Sequence, residues 1–567
     1  MNSAQREADV ALIGLGAAGG IAAQVLADAG LEVVALEAGP RIDPSSSTFD
    51  ELRNDVRNWM SDAKAKLEVP TWRFDASQQA GPAPWPMLMA NGVGGSTMHY
   101  ECISLRFQPW NFDARSRTLA RYGPAAIPSD SALADWPVSY EELEPYYDHV
   151  EHAIGVSGQA GRVGGAFDPQ GNRFEGERRR GYPMPPLRAG GWGDFMASAG
   201  RRLAWNPFPG PAAINSEPFG GNPACTYCGF CSSNGCHANA KGSTAATVIP
   251  RAEATGRLRV ETSARVIAIE VDAQGYVAGV RFVQDGVERV LPAKAVLLGA
   301  FTYENVRLLL MSRSSAFPDG LSNNHGQVGR HFTAHTIAST FGRFPGKRLN
   351  LFTGTMAQAP CVDDWNCDNF DHSGLGFVGG GMLACWGEFK PITTAAGTAV
   401  PPHIPRWGST WKRWLKDNIQ SVGVVRGQFD ALSYDDCYLD LDPNARDSFG
   451  MPLVRVTHQL HENEIVGSEF LIEKARQWLL EAGAAETWDH MRVEGRHAYG
   501  GTRMGPDIDT SVVDHRGFSH EVPNLGIIGA STFPTTGGHN PTLTVQALAW
   551  KTARHLIDEW ALLSRGA

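Results

Sequence analysis

The stretch ADVALIGLGAAGGIAAQVLADAGLEVVALEAG at residues 8–39 decides the fold of this chain. Its first apolar run, residues 8–13, predicts a buried strand, and the alanine-rich run at 18–29 predicts a helix. Residues 31–36 predict a second strand. Because a strand, a helix and a strand in this order join two parallel strands, the sequence predicts an α/β fold with a parallel sheet.

The turn between the first strand and the helix carries three spaced glycines, Gly14, Gly16 and Gly19. Gly14 permits the tight turn, Gly16 lets the backbone approach a pyrophosphate, and Gly19 allows close helix–strand packing. The free N–H groups at the helix start then meet the phosphate charge. Glu37 ends the second strand, where its carboxylate can accept both hydroxyls of an adenosine ribose. This pattern predicts a dinucleotide site but does not distinguish FAD from NAD.

Length and charge narrow the class of protein. The 567 residues exceed what one hydrophobic core usually holds, so we expect at least two core regions. The net charge of −10, with acidic and basic residues interspersed, argues against a nucleic-acid partner, which requires a basic face. No apolar run reaches the roughly 18 residues of a membrane span. Only seven residues precede the first predicted strand, so we expect no export signal on the chain itself.

The rest of the chain is predicted from the same kinds of pattern. Residues 156–224 are rich in Gly, Pro and Arg and predict long ordered loops. The other predicted elements are a helix at 139–155 capped by Ser139, a strand-rich region at 258–299, a helix at 462–482, a strand at 525–529 and a helix at 542–562.

Three separated stretches resemble one family of enzymes. The first is the glycine turn together with Glu37-Ala-Gly39, and the second is Asn91-Gly-Val-Gly-Gly-Ser-Thr97. The third combines His497-Ala-Tyr-Gly-Gly-Thr-Arg-Met-Gly505 with the segment at 524–549. In this order they resemble the glucose–methanol–choline (GMC) family of FAD oxidoreductases, and they extend from one end of the chain to the other.

The resemblance implies an α/β fold with two lobes: a Rossmann-type FAD-binding lobe, and a substrate lobe built on an antiparallel sheet. The FAD-binding lobe would comprise residues 1–110, 206–325 and 491–567, and the substrate lobe residues 111–205 and 326–490. The resemblance also implies that the backbone near Val266 contacts the adenine. The other residues implied to lie along the flavin and its pyrophosphate are Gly94, Gly95, Ser96, Thr97 and Gly529.

The same resemblance assigns the chemistry to His497 and Asn540, as a histidine and a second His or Asn beside flavin N5. A neutral imidazole with a pKa near about 6.5 can accept the proton of an alcohol hydroxyl, and an amide can hold that hydroxyl without competing for the proton. The flavin accepts the hydride from carbon. His539 is a rival, but neighbouring side chains of an extended segment point to opposite faces. We therefore expect Asn540 alone to face the flavin.

Four of the nine cysteines lie within twelve residues: Cys225, Cys228, Cys231 and Cys236. A disulfide is disfavoured because cysteines three apart are poorly placed to bridge each other. Zinc sites more often use two separated cysteine pairs. An iron–sulfur cluster fits the compact run best.

A subset of the GMC family, the gluconate, glucose, fructose and glucoside-3 dehydrogenases, resembles this chain in having cysteines just before an Asn/Gln-Ala-Lys stretch. Here that stretch is Asn239-Ala-Lys241. The resemblance implies a 3Fe–4S cluster near the flavin, held by three cysteines. The fourth cysteine leaves a 4Fe–4S cluster open as the less favoured alternative.

These expectations describe an FAD-dependent dehydrogenase of a sugar, sugar acid, glycoside or polyol. The iron–sulfur centre would draw electrons singly from the flavin toward an external acceptor, such as a c-type cytochrome. The alternatives are a flavin oxidase of the same fold that uses O₂, and a non-catalytic flavoprotein or electron-transfer subunit. The resemblance also implies a small signal-bearing subunit and periplasmic location by co-export, with a cytoplasmic location as the alternative.

Overall fold

In the computed structural model, the strand that opens the chain lies in the centre of the first sheet. The structure describes residues 7–57, 59–60, 69–83 and 89–564. Along them the strands are β1 (Ala8–Ile13), β2 (Val33–Leu36), β3 (Thr71–Arg73), β4 (Gly81–Pro82), β5 (Arg162–Val163), β6 (Ala166–Phe167), β7 (Phe208–Pro209), β8 (Leu258–Glu261), β9 (Arg265–Val271), β10 (Val277–Gln284), β11 (Val287–Leu298), β12 (Thr333–Arg343), β13 (Pro360–Val362), β14 (Gly381–Ala384), β15 (Val422–Phe429), β16 (Tyr438–Arg446), β17 (Pro452–Thr457), β18 (Glu486–Tyr499) and β19 (Leu525–Ile527).

Helices cover both sheets and connect their strands. The α-helices are α1 (Ala17–Asp28), α2 (Pro109–Phe112), α3 (Ala114–Tyr122), α4 (Tyr140–Ile154), α5 (Gly191–Arg202), α6 (Val248–Ala254), α7 (Thr302–Met311), α8 (Pro391–Ala396), α9 (Gly408–Asn418), α10 (Glu462–Glu481), α11 (Thr542–Asp558) and α12 (Trp560–Leu563). Short 3₁₀ turns at Gly95–Met98 and Ala530–Thr532 flank the cavity described below.

The first sheet has the strand order β8-β2-β1-β11-β10-β9, and β19 also pairs with β11. Five of these strands, β8, β2, β1, β11 and β19, run parallel. The long strand β11 also pairs antiparallel with β10 through its first half. Helix α1 connects β1 to β2 and packs against α6 and α11. The predicted strand, helix and strand at the start of the chain are therefore confirmed, as is the α/β class.

The second sheet has the order β18-β12-β15-β14-β13-β7, and all of its pairs are antiparallel. Helix α10 packs on β12 and β15 and covers one face of this sheet. This is the antiparallel sheet that the resemblance implied. β18 begins at Glu486 and continues to Tyr499, so it crosses the predicted lobe boundary between residues 490 and 491.

Most predicted helices agree with the structure to within one or two residues. Ser139 caps α4 as expected: its hydroxyl accepts a hydrogen bond from the N–H of Glu142 at 3.1 Å. The prediction of loops throughout 156–224 was wrong at Gly191–Arg202, which form α5. Glycines at two of its first three positions, Gly191 and Gly193, hide this helix in the sequence, because glycine is a poor helix former. Trp192 and Met196 nevertheless bury one face of it.

Two expectations about the membrane and the chain start can be compared with the structure only in part. Within the described ranges, every helix is too short or too polar to cross a membrane. The expectation of no export signal concerned Met1–Glu7, of which residues 1–6 lie outside the described residues.

Candidate active site

A cavity extends from the carboxyl ends of β1 and β2 to the end of β18. Residues from both ends of the chain line it. Among them are nine that the sequence singled out: Gly14, Gly16, Glu37, Gly95, Ser96, Thr97, Val266, Gly529 and His497. The structure thus brings the glycine turn, the second glycine stretch and the candidate base into one wall.

The glycine turn leaves room for a ligand because side chains are excluded there. Gly14 has φ +85°, and a Cβ on it would lie 2.7 Å from the carbonyl oxygen of Gly299. A Cβ on Gly19 would lie 2.0 Å from the carbonyl oxygen of Gly14, so Gly19 serves helix–strand packing behind the cavity. No side chain caps the start of α1, and its first turn holds no acidic residue. The backbone N–H groups of this first turn therefore have no side-chain cap, and they fit a pyrophosphate.

The second glycine stretch packs directly on the first. Gly94 has φ +96°, and its N–H donates to the carbonyl of Leu15 at 2.8 Å. A Cβ on Gly95 would lie 2.8 Å from the Cα of Gly16. Gly94 itself sits behind the wall, against Ala245. Side chains at these positions would prevent the close contact between the two glycine stretches. The packing of each stretch therefore depends on the glycines of the other.

Glu37 lies at the end of β2 with both carboxylate oxygens fixed. One accepts from the N–H of Leu15 at 3.0 Å and the other from the N–H of Gly39 at 2.9 Å. Val266, near the start of β9, lines the same cavity, two residues after Ala264, whose N–H donates to the backbone carbonyl of Glu37 at 2.9 Å. A fixed carboxylate beside a glycine turn is the arrangement that holds the ribose of a dinucleotide. The residues present therefore fit FAD.

His497 reaches the cavity because β18 is irregular near its end. β12 pairs with β18 in regular register up to His335 and Glu494, and the ladder resumes with Ala334 and Ala498. Three residues, 495–497, are therefore extra on β18, which bends the strand and redirects its side chains. Nδ1 of His497 consequently lies 3.1 Å from Nδ1 of His335.

Burial lowers the pKa of His497 to about 4, although the Glu494 carboxylate opposes this shift. The imidazole is therefore neutral at physiological pH and can accept a proton. Asn540 is 9% exposed, and its side-chain oxygen has no hydrogen-bond partner in the described residues. The next two residues, Pro541 and Thr542, line the cavity. Asn540 thus directly precedes two cavity-lining residues and carries an unsatisfied buried acceptor.

His539 occupies a different environment from its neighbour. Its Nδ1 lies 2.7 Å from the carbonyl oxygen of Arg106, and its Nε2 lies 3.0 Å from the carboxylate of Asp363. Burial alone would lower the pKa of His539, but the buried Asp363 carboxylate raises it above its usual value. His539 therefore anchors the loop that carries Asn540, and its ring nitrogens are occupied.

Comparisons with known proteins agree with this geometry. Two family models, both described as GMC oxidoreductase, match this chain, one at residues 213–337 and the other at residues 433–549. The chain is 32% identical to the gluconate 2-dehydrogenase flavoprotein of Pantoea cypripedii, over 98% of this chain and 94% of that protein. The chain belongs to the GMC oxidoreductase family. It is therefore a flavin-dependent enzyme that acts on alcohol groups, as the sequence resemblance predicted.

Two further matches extend over the whole length of this GMC oxidoreductase. The fructose dehydrogenase large subunit of Gluconobacter japonicus is 26% identical, over 99% of each protein. Among solved structures, pyridoxine 4-oxidase from Mesorbium loti has a TM-score of 0.61 at 16% identity, covering 97% of this chain and 99% of that chain. The second match supports the fold alone.

The four clustered cysteines of this GMC oxidoreductase lie in an irregular loop, residues 225–236, here called the cysteine loop. The loop is hydrogen-bonded to the segment that lines the cavity. Its Ser233 N–H donates to the carbonyl of His99 at 3.0 Å, and its Ser232 hydroxyl donates to Glu101 at 2.8 Å. His99, Tyr100 and Glu101 all line the cavity. One layer of residues therefore separates the cysteine loop from the cavity.

Lys241, which follows the cysteine loop, joins it to the cavity wall. The lysine is 3% exposed, and its ammonium group donates at 2.8 Å to the carbonyls of Tyr100, Cys231 and Asn234. On the other side, Glu388 accepts hydrogen bonds from the N–H groups of Cys231 and Ser232. Cys231 is buried and the other three cysteines are half-buried.

The spacing of the thiols bears on which metal they could hold. In the described residues, the Cys, His and carboxylate donors that come within 4.8 Å of one another are those of Asp436, Cys437 and His461. No three thiols of the cysteine loop meet this limit. Two sulfur ligands of one zinc ion, each about 2.3 Å from it, cannot be more than about 4.6 Å apart. Three of these thiols therefore do not meet at one point in this structure.

Sequence reasoning did not single out His335, Glu101 or Lys241 as parts of the site. His335 carries no motif, and it meets His497 only because β12 and β18 pair across 162 residues. The sequence analysis named Lys241 as part of the Asn-Ala-Lys stretch. It could not show that three backbone carbonyls converge on the buried ammonium group of this lysine. Alternation along β12 places His335 on one face of the sheet, but it does not show what that face meets.

Proposed function

We propose that this GMC oxidoreductase is an FAD-dependent dehydrogenase that oxidises an alcohol of a sugar, sugar acid, glycoside or polyol and passes electrons through an iron–sulfur cluster to an external acceptor. FAD, when bound, accepts the hydride from the alcohol carbon. The observation that carries the proposal is the attachment of the cysteine loop to the cavity-lining residues His99 and Glu101. An electron-transfer centre there would adjoin the flavin site.

In this proposal His497 accepts the hydroxyl proton of the substrate. Its neutral ring at the cavity wall supports that role. Asn540 would donate from its side-chain N–H₂ to the oxygen of the same hydroxyl, because His497 takes the only hydroxyl proton. Together the two side chains would fix the oxygen of the substrate, so that the carbon hydrogen has one direction to leave. The apolar residues Leu36, Met89, Leu308 and Ile528 also line the cavity.

The cofactor contacts proposed from the sequence are supported by the same cavity. Gly16 and Gly95 would bring backbone close to the pyrophosphate, Gly14 would make the turn, Gly94 would support it from behind, and Glu37 would hold the ribose. Ser96 and Thr97 lie in the wall beside them, although the Thr97 hydroxyl donates to the carbonyl of Gly94. We propose Val266 for the adenine and Gly529 for the flavin end of the site.

For the cysteine loop we propose an iron–sulfur cluster, with 3Fe–4S favoured over 4Fe–4S. A cluster holds its cysteines farther apart than one ion does, because each sulfur binds a different iron. The compact spacing of these cysteines in the sequence supports this interpretation against zinc. The cluster would take electrons one at a time from the reduced flavin, which holds two, and three half-buried cysteines would place it near the surface.

Partners and location follow from the relatives as proposals. The gluconate 2-dehydrogenase flavoprotein and the fructose dehydrogenase large subunit bear names of parts of larger enzymes. We propose that this chain also works with a small signal-bearing subunit, that a c-type cytochrome accepts its electrons, and that co-export places it in the periplasm. The gluconate relative favours a sugar acid among the possible substrates.

A spectrum of the purified protein tests both cofactors at once. We expect flavin absorbance bands together with an iron–sulfur signal in electron paramagnetic resonance. Turnover with a sugar acid should be faster with an artificial dye than with O₂, because the cluster offers electrons a route other than oxygen. Flavin bands without iron, or faster turnover with O₂ than with the dye, would contradict the relay and favour a flavin oxidase.

A further inference from the structure

The hydrogen bonds of His335 determine which nitrogen of His497 carries a proton. Nε2 of His335 lies 2.7 Å from the carbonyl oxygen of Gly537, and a carbonyl oxygen can only accept, so Nε2 must be the donor. His335 is fully buried, and burial together with the neighbouring His497 lowers its pKa well below the usual value. A neutral ring with a proton on Nε2 has a lone pair on Nδ1.

That lone pair faces His497. The two Nδ1 atoms lie 3.1 Å apart, so one must donate and the other accept. Because Nδ1 of His335 is the acceptor, Nδ1 of His497 must carry the hydrogen. His497 is also neutral, so its Nε2 keeps the lone pair. The Tyr499 hydroxyl does not replace this contact: it lies 3.1 and 3.3 Å from the two ring nitrogens of His335, off the lone-pair direction of either.

We infer that His335 is a positioning residue that holds His497 in the tautomer whose Nε2 can accept the substrate proton. The chain of contacts runs from the Gly537 carbonyl through His335 to His497. Gly537 lies three residues before Asn540, so the same loop that carries the amide also fixes the base. In the reaction the hydroxyl O–H bond breaks and its proton goes to Nε2 of His497, while the hydride leaves the carbon for the flavin. The inference rests on the proposed role of His497.

Two substitutions separate the acceptor from the rest of the side chain. His335→Asn keeps an oxygen near the position of Nδ1, whereas His335→Leu keeps the size but offers no acceptor. Both lose the bond to Gly537, so the difference between them isolates the contact with His497. In the FAD-loaded enzyme, we expect His335→Leu to lower the anaerobic rate of flavin reduction by roughly 10- to 100-fold, with KM changed little. His335→Asn should recover most of that rate.

The tautomer itself can be read without turnover. In protein labelled with ¹⁵N-histidine, with signals assigned through His335→Leu and His497→Ala, we expect Nδ1 of His497 to be protonated and Nε2 unprotonated at neutral pH. A protonated Nε2, or equal rates for wild type and His335→Leu, would overturn the inference, as would a His335→Asn rate as low as that of His335→Leu. If His497→Ala still reduces flavin at the wild-type rate, the base assignment fails instead, and the tautomer result stands independently.

Discussion

The histidine pair, His335 and His497, and the cysteine loop both adjoin one cavity, and they are built in opposite ways. The pair sits on adjacent strands, and hydrogen bonds occupy both ring nitrogens of His335 and one of His497. The cysteine loop has no regular strand or helix in its described residues, and three of its four thiols are half-buried.

The contrast follows from what each region would transfer. A proton moves between atoms in hydrogen-bond contact, so its donor and acceptor must be fixed closely. An electron can cross a layer of residues, so a cluster needs proximity to the flavin and access for the acceptor. The cysteine loop meets both needs through its contacts with His99 and Glu101 and through its half-exposed thiols.

The largest effect should come from the histidine side. His497→Ala removes the proposed base, and general-base catalysis contributes about 10²- to 10⁴-fold. We expect anaerobic flavin reduction by substrate to fall by that factor, as measured by stopped-flow absorbance. His490→Ala, an exposed histidine on the same strand, is the control and should reduce flavin normally. The iron–sulfur signal should be unchanged in both variants. Retained flavin reduction in His497→Ala would remove our assignment of the base.

A variant of the cysteine loop should slow electron transfer from the flavin to an external acceptor but leave flavin reduction by substrate unchanged. In Cys231→Ala we expect loss of iron and at least a roughly tenfold lower turnover with dye, because a ligand is removed. Flavin reduction by substrate should stay within about twofold of wild type. Cys361→Ala, which removes a buried thiol from β13, should keep its iron. Equal iron content in the two variants would argue against a cluster at the cysteine loop.

On the histidine side of the site, the sequence indicated which residues lie at the cavity but not how they contact each other. Gly14, Glu37 and His497, which the sequence singled out, line one cavity, because short, local patterns specify a turn, a strand end and a family motif. The contact between His335 and His497 could not be predicted. It depends on three extra residues in β18, and a bulge of that kind leaves no periodic signal.

The sequence also predicted which cysteines cluster, but not how they are held. Their spacing alone favoured an iron–sulfur cluster. The buried Lys241 and the contact of Glu388 with Cys231 join parts of the chain that are distant in sequence. Helix α5 was missed for a related reason: Trp192 and Met196 are buried by tertiary packing, which overrides the low helix propensity of its glycines.

A smaller effect is expected where the two regions join. Lys241→Met would keep the length of the side chain but leave three buried carbonyls without a donor. We expect a loss of about 1–3 kcal/mol in the free energy of unfolding, measured by denaturant titration. Iron content should fall less than in Cys231→Ala, and flavin reduction should stay near normal. Lys416→Met, on α9, is the control because that lysine is exposed. Unchanged stability would mean that the ammonium group does not hold the cysteine loop.

The smallest effect is an expected lack of change with pH, and it tests how deeply the histidine side is buried. A base must be neutral to accept a proton, so kcat/KM falls as pH falls through the pKa of His497 in the free enzyme. With an ordinary imidazole pKa of about 6.5, only about one tenth of the rate would remain at pH 5.5. Because burial lowers the pKa of His497 to about 4, we expect the dye-linked rate to be nearly level between pH 8 and about 5.5 and to fall only below that. Flavin fluorescence over the same range controls for unfolding. A tenfold loss by pH 5.5 in folded enzyme would show that His497 is more exposed to water than its place in the cavity wall implies.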